Sequence, residues 1–251
     1  MFLVHLFLVL AGPLVGSFIG LLAIRWPEGE PWVARRSVCR SCERQLRWWE
    51  LLPLLSWLAL RGKCRQCGAS IPWIHPACEM GGLLVALSAW AFAPEGTILL
   101  SCLFGWTLLA LAAIDLRSFI LPDPLNLLAA LLGVAMVWWT RPDAWAEHLI
   151  GAAVGYLILF SVEITYRLMR GRDGLGRGDA KLFGVLGLWV GWTRLPDILL
   201  IASVSGLLAA ILASRVAGDD LKSTTAIAFG PWLALAGWIA WLTGPLLVSG
   251  L

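Results

Sequence analysis

The sequence predicts an all-α protein that crosses a membrane about eight times and carries one small cysteine-rich domain outside the lipid. Three observations lead there. Apolar residues make up 59% of the 251-residue chain and charged ones only 14%, against roughly 25% charged in an ordinary soluble domain. Apolar blocks near the ~20 residues that a helix needs to cross a bilayer recur along nearly the whole chain. The one long polar interruption, residues 25–77, holds two Cys-x2-Cys pairs.

The blocks fall at 3–24, 78–93, 98–116, 124–140, 147–166, 181–193, 197–214 and 227–249. Leu, Ala, Gly and Trp fill them without polar–apolar alternation, a poor match to a membrane β-barrel. The first is expected to be a retained span rather than a cleaved signal. Its apolar run is about twice the length of a signal core, no basic residue precedes it, and Arg25 and Trp26 stand where a small-x-small cleavage site would be. Charge then gives direction. Residues 25–75 hold nine Lys/Arg against four Glu, and residues 167–181 hold five basic against two acidic residues. Basic residues collect beside short cytoplasmic loops. Eight spans starting from an outside N-terminus put the connections 25–77, 117–123, 167–180 and 215–226 inside, and leave Glu95, Arg141, Asp143, Glu147, Arg194 and Asp197 on the other face. Topology thus accounts for the formal charge of +3. The expected surroundings are membrane lipids, with no nucleic-acid partner, and nothing in the sequence sets an oligomeric state.

Within 25–77, Cys39 and Cys42 form one Cys-x2-Cys pair and Cys64 and Cys67 another. Each pair places two thiolates on one side of a tight turn, the signature of a tetrahedral metal site. Gly68 follows the second pair, where a turn can use its freedom at positive φ. Zinc is the expected ion, in a structural role because four sulfurs leave no open position for water; rubredoxin-like iron is the alternative the same ligands admit. Disulfides are disfavoured on a reducing inner side. The apolar stretch WWELLPLLSWLAL between the pairs can pack on the metal core, lie on the membrane surface or dip into it. Cys78 and Cys102, alone in apolar blocks, read as packing residues.

Ionisable groups at membrane depth are costly and tend to be functional. Asp115 ends one apolar block, and Asp179, within DGLGRGDAKL (residues 173–182), opens another. Pro122 and Asp123 fall between Asp115 and the next block. Both Asp115 and Asp179 are placed at the inner edge of the hydrophobic region, where they meet if their helices pack together. Gly174, Gly176 and Gly178 remove side chains from alternate positions, permitting unusual backbone angles and the close approach of another chain. Two facing carboxylates cannot both stay ionised; sharing one proton, they can activate water and polarise a carbonyl, the chemistry of aspartic proteases. The residues alone leave two other readings open. A transporter can use two membrane carboxylates to couple protons, and the pair can be structural, with Asp179 capping a helix and Asp115 pairing with Arg117 or Lys181.

An ordered set of motifs carries a resemblance over nearly the full length: GSFIGLLAIRWP, the paired cysteines, LLPLLSWLALRGKCRQCGASI, IDLRSFILPD, GLGRGDAKLFGVLGLWVG and IAFGPWLALAG. Together they resemble the bacterial type IV prepilin peptidases, intramembrane aspartic proteases that also act as N-methyltransferases in pilus and type II secretion systems. The resemblance implies a first span at 1–24, a cytoplasmic four-cysteine domain at 25–77 that is the candidate methyltransferase region, and a transmembrane aspartic peptidase domain at 78–251. It assigns the catalytic carboxylates to Asp115 and Asp179, a supporting place to Asp123, and zinc to Cys39, Cys42, Cys64 and Cys67. Lys181 matches a family lysine. The implied substrate is a prepilin or pseudopilin in the bacterial inner membrane. Its basic leader is cut after Gly on the cytoplasmic side, and the new amino terminus, a Phe, is then methylated with S-adenosylmethionine.

Three positions depart from that pattern. Gly20 stands in the place of the Asn of Gly-Ser-Phe-x-Asn, Leu51 replaces another family asparagine, and Arg40 replaces a proline after Cys39. An Asn-to-Gly or Asn-to-Leu change removes an amide donor and acceptor. If those amides position the methyl donor or the amine, methyl transfer is weakened or lost here. If it is lost, the chain is a peptidase only; if it is kept, Glu50 and Glu79 remain as polar groups that can orient the amine.

Overall fold

The computed structural model describes residues 2–31, 36–171, 174–217 and 227–243. Part of the expected inner connection 215–226, Arg172 and Asp173 in the loop before Asp179, and the end of the last apolar block lie outside the described residues. All regular secondary structure described is helical apart from two isolated β-bridges. Every apolar block contains one long helix: α1 (Phe2–Arg25), α3 (Ile74–Phe92), α4 (Ile98–Ser118), α5 (Asp123–Thr140), α6 (Trp145–Arg170), α7 (Arg177–Val190), α8 (Leu195–Ala217) and α9 (Gly230–Thr243). A short α2 (Leu55–Ala59) lies in the polar segment. Among the described residues, five stretches, Phe2–Arg25, Ile98–Ser118, Asp123–Thr140, Pro142–Arg170 and Trp192–Val216, are long and apolar enough to cross a membrane. The chain is a multi-pass membrane protein.

It divides into two compact units, Met1–Ala91 and Phe92–Leu251. In the first, α1 and α3 approach to backbone contact. Gly12, Gly16 and Gly20 recur every fourth residue, so they share one face of α1. A Cβ on Gly12 would lie 2.6 Å from the Gly82 carbonyl oxygen, and one on Gly16 would collide with the Cys78 carbonyl oxygen. At Gly20 the space is taken by His75, whose Nδ1 lies 3.1 Å from the would-be Cβ. The outer faces of Leu3, Phe7 and Leu10 stay exposed, as expected of a helix solvated by lipid rather than water. The stretch between the cysteine pairs forms a 3-10 turn, Trp48–Leu51, followed by α2. Trp57 packs on Gly62, while Trp48, Leu55 and Leu58 are exposed.

The second unit is built around α7. This helix has 14 residues, roughly 21 Å at 1.5 Å per residue, and falls short of the ~30 Å hydrocarbon layer. Leu182, Phe183, Leu186 and Trp189 are fully buried on it; beyond its charged start (Arg177, Asp179 and Lys181) it is apolar all round and belongs inside a bundle. Trp189 stacks on Phe104 of α4 at 3.8 Å between ring centroids and donates from Nε1 to the Ala129 carbonyl of α5 (2.8 Å). Small residues again let backbones meet, with Gly187 against the Gly151 carbonyl of α6 and Gly184 against that of Ala152. Arg194 and Asp197, expected in an outer connection, are buried as an ion pair (3.2 Å), and Arg194 also donates to the Ala240 carbonyl (2.9 Å). Burying a charge this way requires a partner, and the pair ties the start of α8 to α9.

Candidate active site and metal centre

The four cysteines come together. All four Sγ atoms lie within 4.8 Å of one another, and Cys39 Sγ is 3.8 Å from Cys67 Sγ. A zinc–sulfur bond of about 2.3 Å gives a tetrahedron edge of about 3.8 Å, so the residues fit a four-sulfur ion site. Two equivalent turns build it. The Cys39 amide donates to the Arg44 carbonyl and the Glu43 amide to the Cys39 carbonyl (both 2.9 Å). In the second turn the Cys64 amide donates to Ala69 (2.7 Å) and the Gly68 amide to Cys64 (2.9 Å). The residue after each pair is left-handed: Gly68 at φ 71°, as the sequence suggests, and Glu43 at φ 53°, which it does not. Backbone amides of Cys67 and Gln66 lower the Cys64 thiol to about 6, and those of Cys42 and Ser41 lower Cys39. The Ala69 amide works to lower Cys67, but burial and the neighbouring thiols outweigh it and push Cys67 up to about 11. Four adjacent sulfurs cannot all ionise without a cation between them.

Beside the cysteines lies a cavity of about 400 Å³, lined among others by Ser17, Leu21, Glu50, Trp57, His75 and Glu79. That volume is in the range of small-molecule sites. Its two carboxylates differ. Glu50 is gripped by Arg44 through two bonds (2.9 and 2.6 Å) and accepts from the Arg47 amide (2.9 Å); Arg44 holds it well below the usual carboxylate range, at about 2. Glu79, buried on α3, has only uncharged partners: the Ser17 hydroxyl donates to Oε1 (2.8 Å) and the Leu54 amide to Oε2 (2.7 Å). Leu54 sits at φ 61° to make that bond, a costly backbone for a residue with a side chain.

Asp115 and Asp179 are both buried in the second unit, 5% and 8% exposed, and close enough to interact electrostatically. Asp115 lies in the last turn of α4, which Phe119 ends in the left-handed conformation at φ 55°. Its Oδ2 accepts from the Gly230 amide at the start of α9 (3.1 Å). Gly230 has no room for a side chain, since a Cβ would lie 2.7 Å from Asp115 Oδ2 and 3.0 Å from Leu121. Asp179 stands in the first turn of α7, with Gly176 as the N-cap, where the positive end of the helix dipole favours a carboxylate. Its Oδ1 is buried without a hydrogen-bond partner. The expected alternatives for Asp115 are not formed: Lys181 donates instead to the exposed Asp123 (2.6 Å).

The glycines before Asp179 act differently from the expectation. None of the three has positive φ. A Cβ on Gly178 would meet Leu121 at 2.8 Å, and one on Gly174 would collide with the Tyr166 ring. The approaching chain at these two positions is the protein's own. Among the described residues, a Cβ on Gly176 would meet Asp179 Oδ2 at 3.3 Å and the Gly178 amide nitrogen at 3.9 Å, with no other side chain within 4 Å. Two further contributors are not singled out by sequence reasoning. Gly230 is visible only as part of a Phe-Gly-Pro string. Glu163 of α6, fully buried, binds Arg167 and Arg177 (Nε, 3.2 Å) and so anchors the start of α7. A lone Glu inside an apolar block is the signal that could have found it.

Comparison with known proteins shows the family. Residues 10–92 match the bacterial peptidase A24 N-terminal domain, and residues 102–211 match the type IV leader peptidase family. The chain is 39% identical over 213 residues to a prepilin leader peptidase/N-methyltransferase of Pseudomonas putida, covering 83% of this chain and 72% of that protein. It is 35% identical over 255 residues to one of Dickeya chrysanthemi, covering 92% and 89%. It is 34% identical over 267 residues to one of Xanthomonas campestris pv. campestris, covering 95% and 91%. No solved structure matches the chain. This multi-pass protein is therefore an enzyme that belongs to the type IV leader peptidase family.

Proposed function

We propose that the protein cleaves the basic leader of type IV prepilins or type II secretion pseudopilins after Gly, at the cytoplasmic face of the bacterial inner membrane, with Asp115 and Asp179 as the catalytic pair. The observation that carries this reading is the buried pair itself. The carboxylates come from separate helices, each is oriented without a counter-cation among the described residues, and Asp179 Oδ1 has no partner of its own. A structural ion pair would be neutralised; a working pair must keep acceptor capacity free.

With one proton shared, the ionised carboxylate takes a proton from water as its oxygen adds to the scissile carbonyl carbon. The protonated one donates to the carbonyl oxygen. Return of a proton to the leaving nitrogen lets the C–N bond break, giving the leader carboxylate and a free amino terminus. The Gly230 amide orients Asp115, Leu121 is the spacer packed on both Gly178 and Gly230, and an extended peptide is taken to approach beside Gly176, where the Asp179 carboxylate is the one side chain within 4 Å among the described residues. The basic connections on the inner side, read with the positive-inside rule, support eight spans and this orientation.

The second half of the activity is assigned to the first unit. Its cavity has the volume for a nucleoside-sized ligand, and a buried carboxylate suits the positive charge of both a sulfonium donor and an amine acceptor. S-adenosylmethionine, when bound, supplies an electrophilic methyl group to the new amino terminus. Loss of the family asparagine at position 20 leaves no polar gap, because the His75 imidazole occupies that space, so methyl transfer is retained in this reading. Zinc on the four cysteines holds the cavity wall. The test is to incubate the purified protein with a synthetic prepilin N-terminal segment and weigh the products. Cleavage after Gly is expected, followed by a methyl group on the mature fragment when S-adenosylmethionine is added. Intact peptide under conditions where the protein is folded contradicts the peptidase reading.

A further inference from the structure

Resting on the methyl-transfer reading of the first unit, we infer that Glu79, with Ser17, is the receptor for the positively charged amino terminus of the cleaved substrate. A buried carboxylate demands compensation. Glu50, the other carboxylate of the cavity, has it from Arg44, so its charge is spent within the protein. Glu79 has none: it is 7% exposed, it lines the cavity, and both its partners are neutral. Among the described residues no arginine of the cavity forms an ion pair with it: Arg44 is committed to Glu50, Arg40 to Glu28, and Arg25 donates to the carbonyls of Pro31 and Arg36.

The chemistry of the pair selects an ammonium rather than a sulfonium. A carboxylate has about four lone-pair sites, of which Ser17 and Leu54 occupy two. The Ser17 hydroxyl, having donated its proton to Glu79, keeps its own acceptor capacity. An ammonium brings N–H donors that such acceptors can bind; a sulfonium brings none. The backbone supports the same assignment, since Leu54 stands at φ 61° with its amide directed at Glu79, and Gly16 lets α1 lie close enough to α3 for Ser17 to reach it. Holding the ammonium by hydrogen bonds fixes the nitrogen within the cavity. Once one proton has passed to the Glu79 carboxylate or to water, the nitrogen lone pair would form the N–CH3 bond as the methyl–sulfur bond of S-adenosylmethionine breaks, leaving S-adenosylhomocysteine as the neutral thioether.

The experiment uses the full-length protein in nanodiscs. Two short peptides opening with Phe, one with a free amino group and one N-acetylated, are compared for binding, with S-adenosylhomocysteine as a separate probe of the donor place. The wild-type protein is expected to prefer the free amine on the order of tenfold or more, as for loss of a charged hydrogen bond. Glu79→Gln should remove that preference while S-adenosylhomocysteine still binds; Ser17→Ala, a milder change, should reduce it. No preference in the wild type, or full preference in both variants, overturns the inference. If Glu79→Gln also loses S-adenosylhomocysteine, Ser17→Ala decides. Loss of amine preference with the donor probe retained supports the receptor, and the reverse overturns it. A wild type that discriminates the amines yet ignores S-adenosylhomocysteine supports the receptor and contradicts the methyl-transfer reading.

Discussion

Among the described residues, no lysine or arginine neutralises Asp115 or Asp179; Lys181, two positions from Asp179, is taken by Asp123. Two acids left without cations in a buried place are a poor way to stabilise a fold and a good way to hold a proton ready. That much was legible in the sequence, since a carboxylate at the edge of an apolar block stands out. Their orienting groups were not legible, because the Gly230 amide is a backbone donor brought from 115 residues away and carries no side-chain signature. The cysteines show the same division. Spacing announces two paired thiols, whereas the left-handed Glu43 that closes the first turn occupies a position where glycine would be expected. For the cysteine site the expected outcome is about one zinc per chain in protein purified under reducing conditions. Cys67→Ser should lower the zinc content and loosen the 25–77 segment, read as faster proteolysis there. Folded, reduced protein free of metal contradicts the zinc assignment.

At the scale of elements, two helix pairs are set by small residues that remove the side chains between backbones. The α1–α3 pair carries Ser17 to Glu79, and the α6–α7 pair carries the Asp179 turn. Every long helix could be read from apolar length. Which helices touch could not, because Gly in an apolar block serves equally as filler. The four-residue spacing of Gly12, Gly16 and Gly20 is the signal that could have marked one contact face. The three glycines ahead of Asp179 invited the opposite error: they suggested room for a substrate, and two of the three spaces are filled by Leu121 and Tyr166. Glu163 completes that support by gripping Arg177. Gly16→Leu is expected to destabilise the first unit by about 1–3 kcal/mol, because the obstacle is the Cys78 carbonyl and not a side chain that can turn aside. Leu10→Ala, on the exposed face of the same helix, should change stability by no more than about 0.5 kcal/mol. Thermal unfolding in detergent measures both, and equal effects would refute the contact.

At the largest scale, the second unit encloses a short α7 whose residues beyond Lys181 are apolar and largely buried, so this helix is solvated by its neighbours rather than by lipid. The compact first unit coincides with the matched N-terminal domain, 10–92, and so includes α3 with the cysteines; no shift in composition marks a boundary there. Folding of the second unit brings α4, α7 and α9 together so that carboxylates 64 positions apart, 179 less 115, share one buried place. The measurement that tests this most directly is leader removal by Asp115→Asn, Asp179→Asn and the double variant, each checked for normal abundance. Each single change should reduce cleavage by roughly 10²–10⁴-fold, and the double variant should be no worse than the poorer single one, as for residues acting as a unit. Near-normal cleavage by either stable single variant, or losses that multiply in the double variant, would contradict a shared-proton pair.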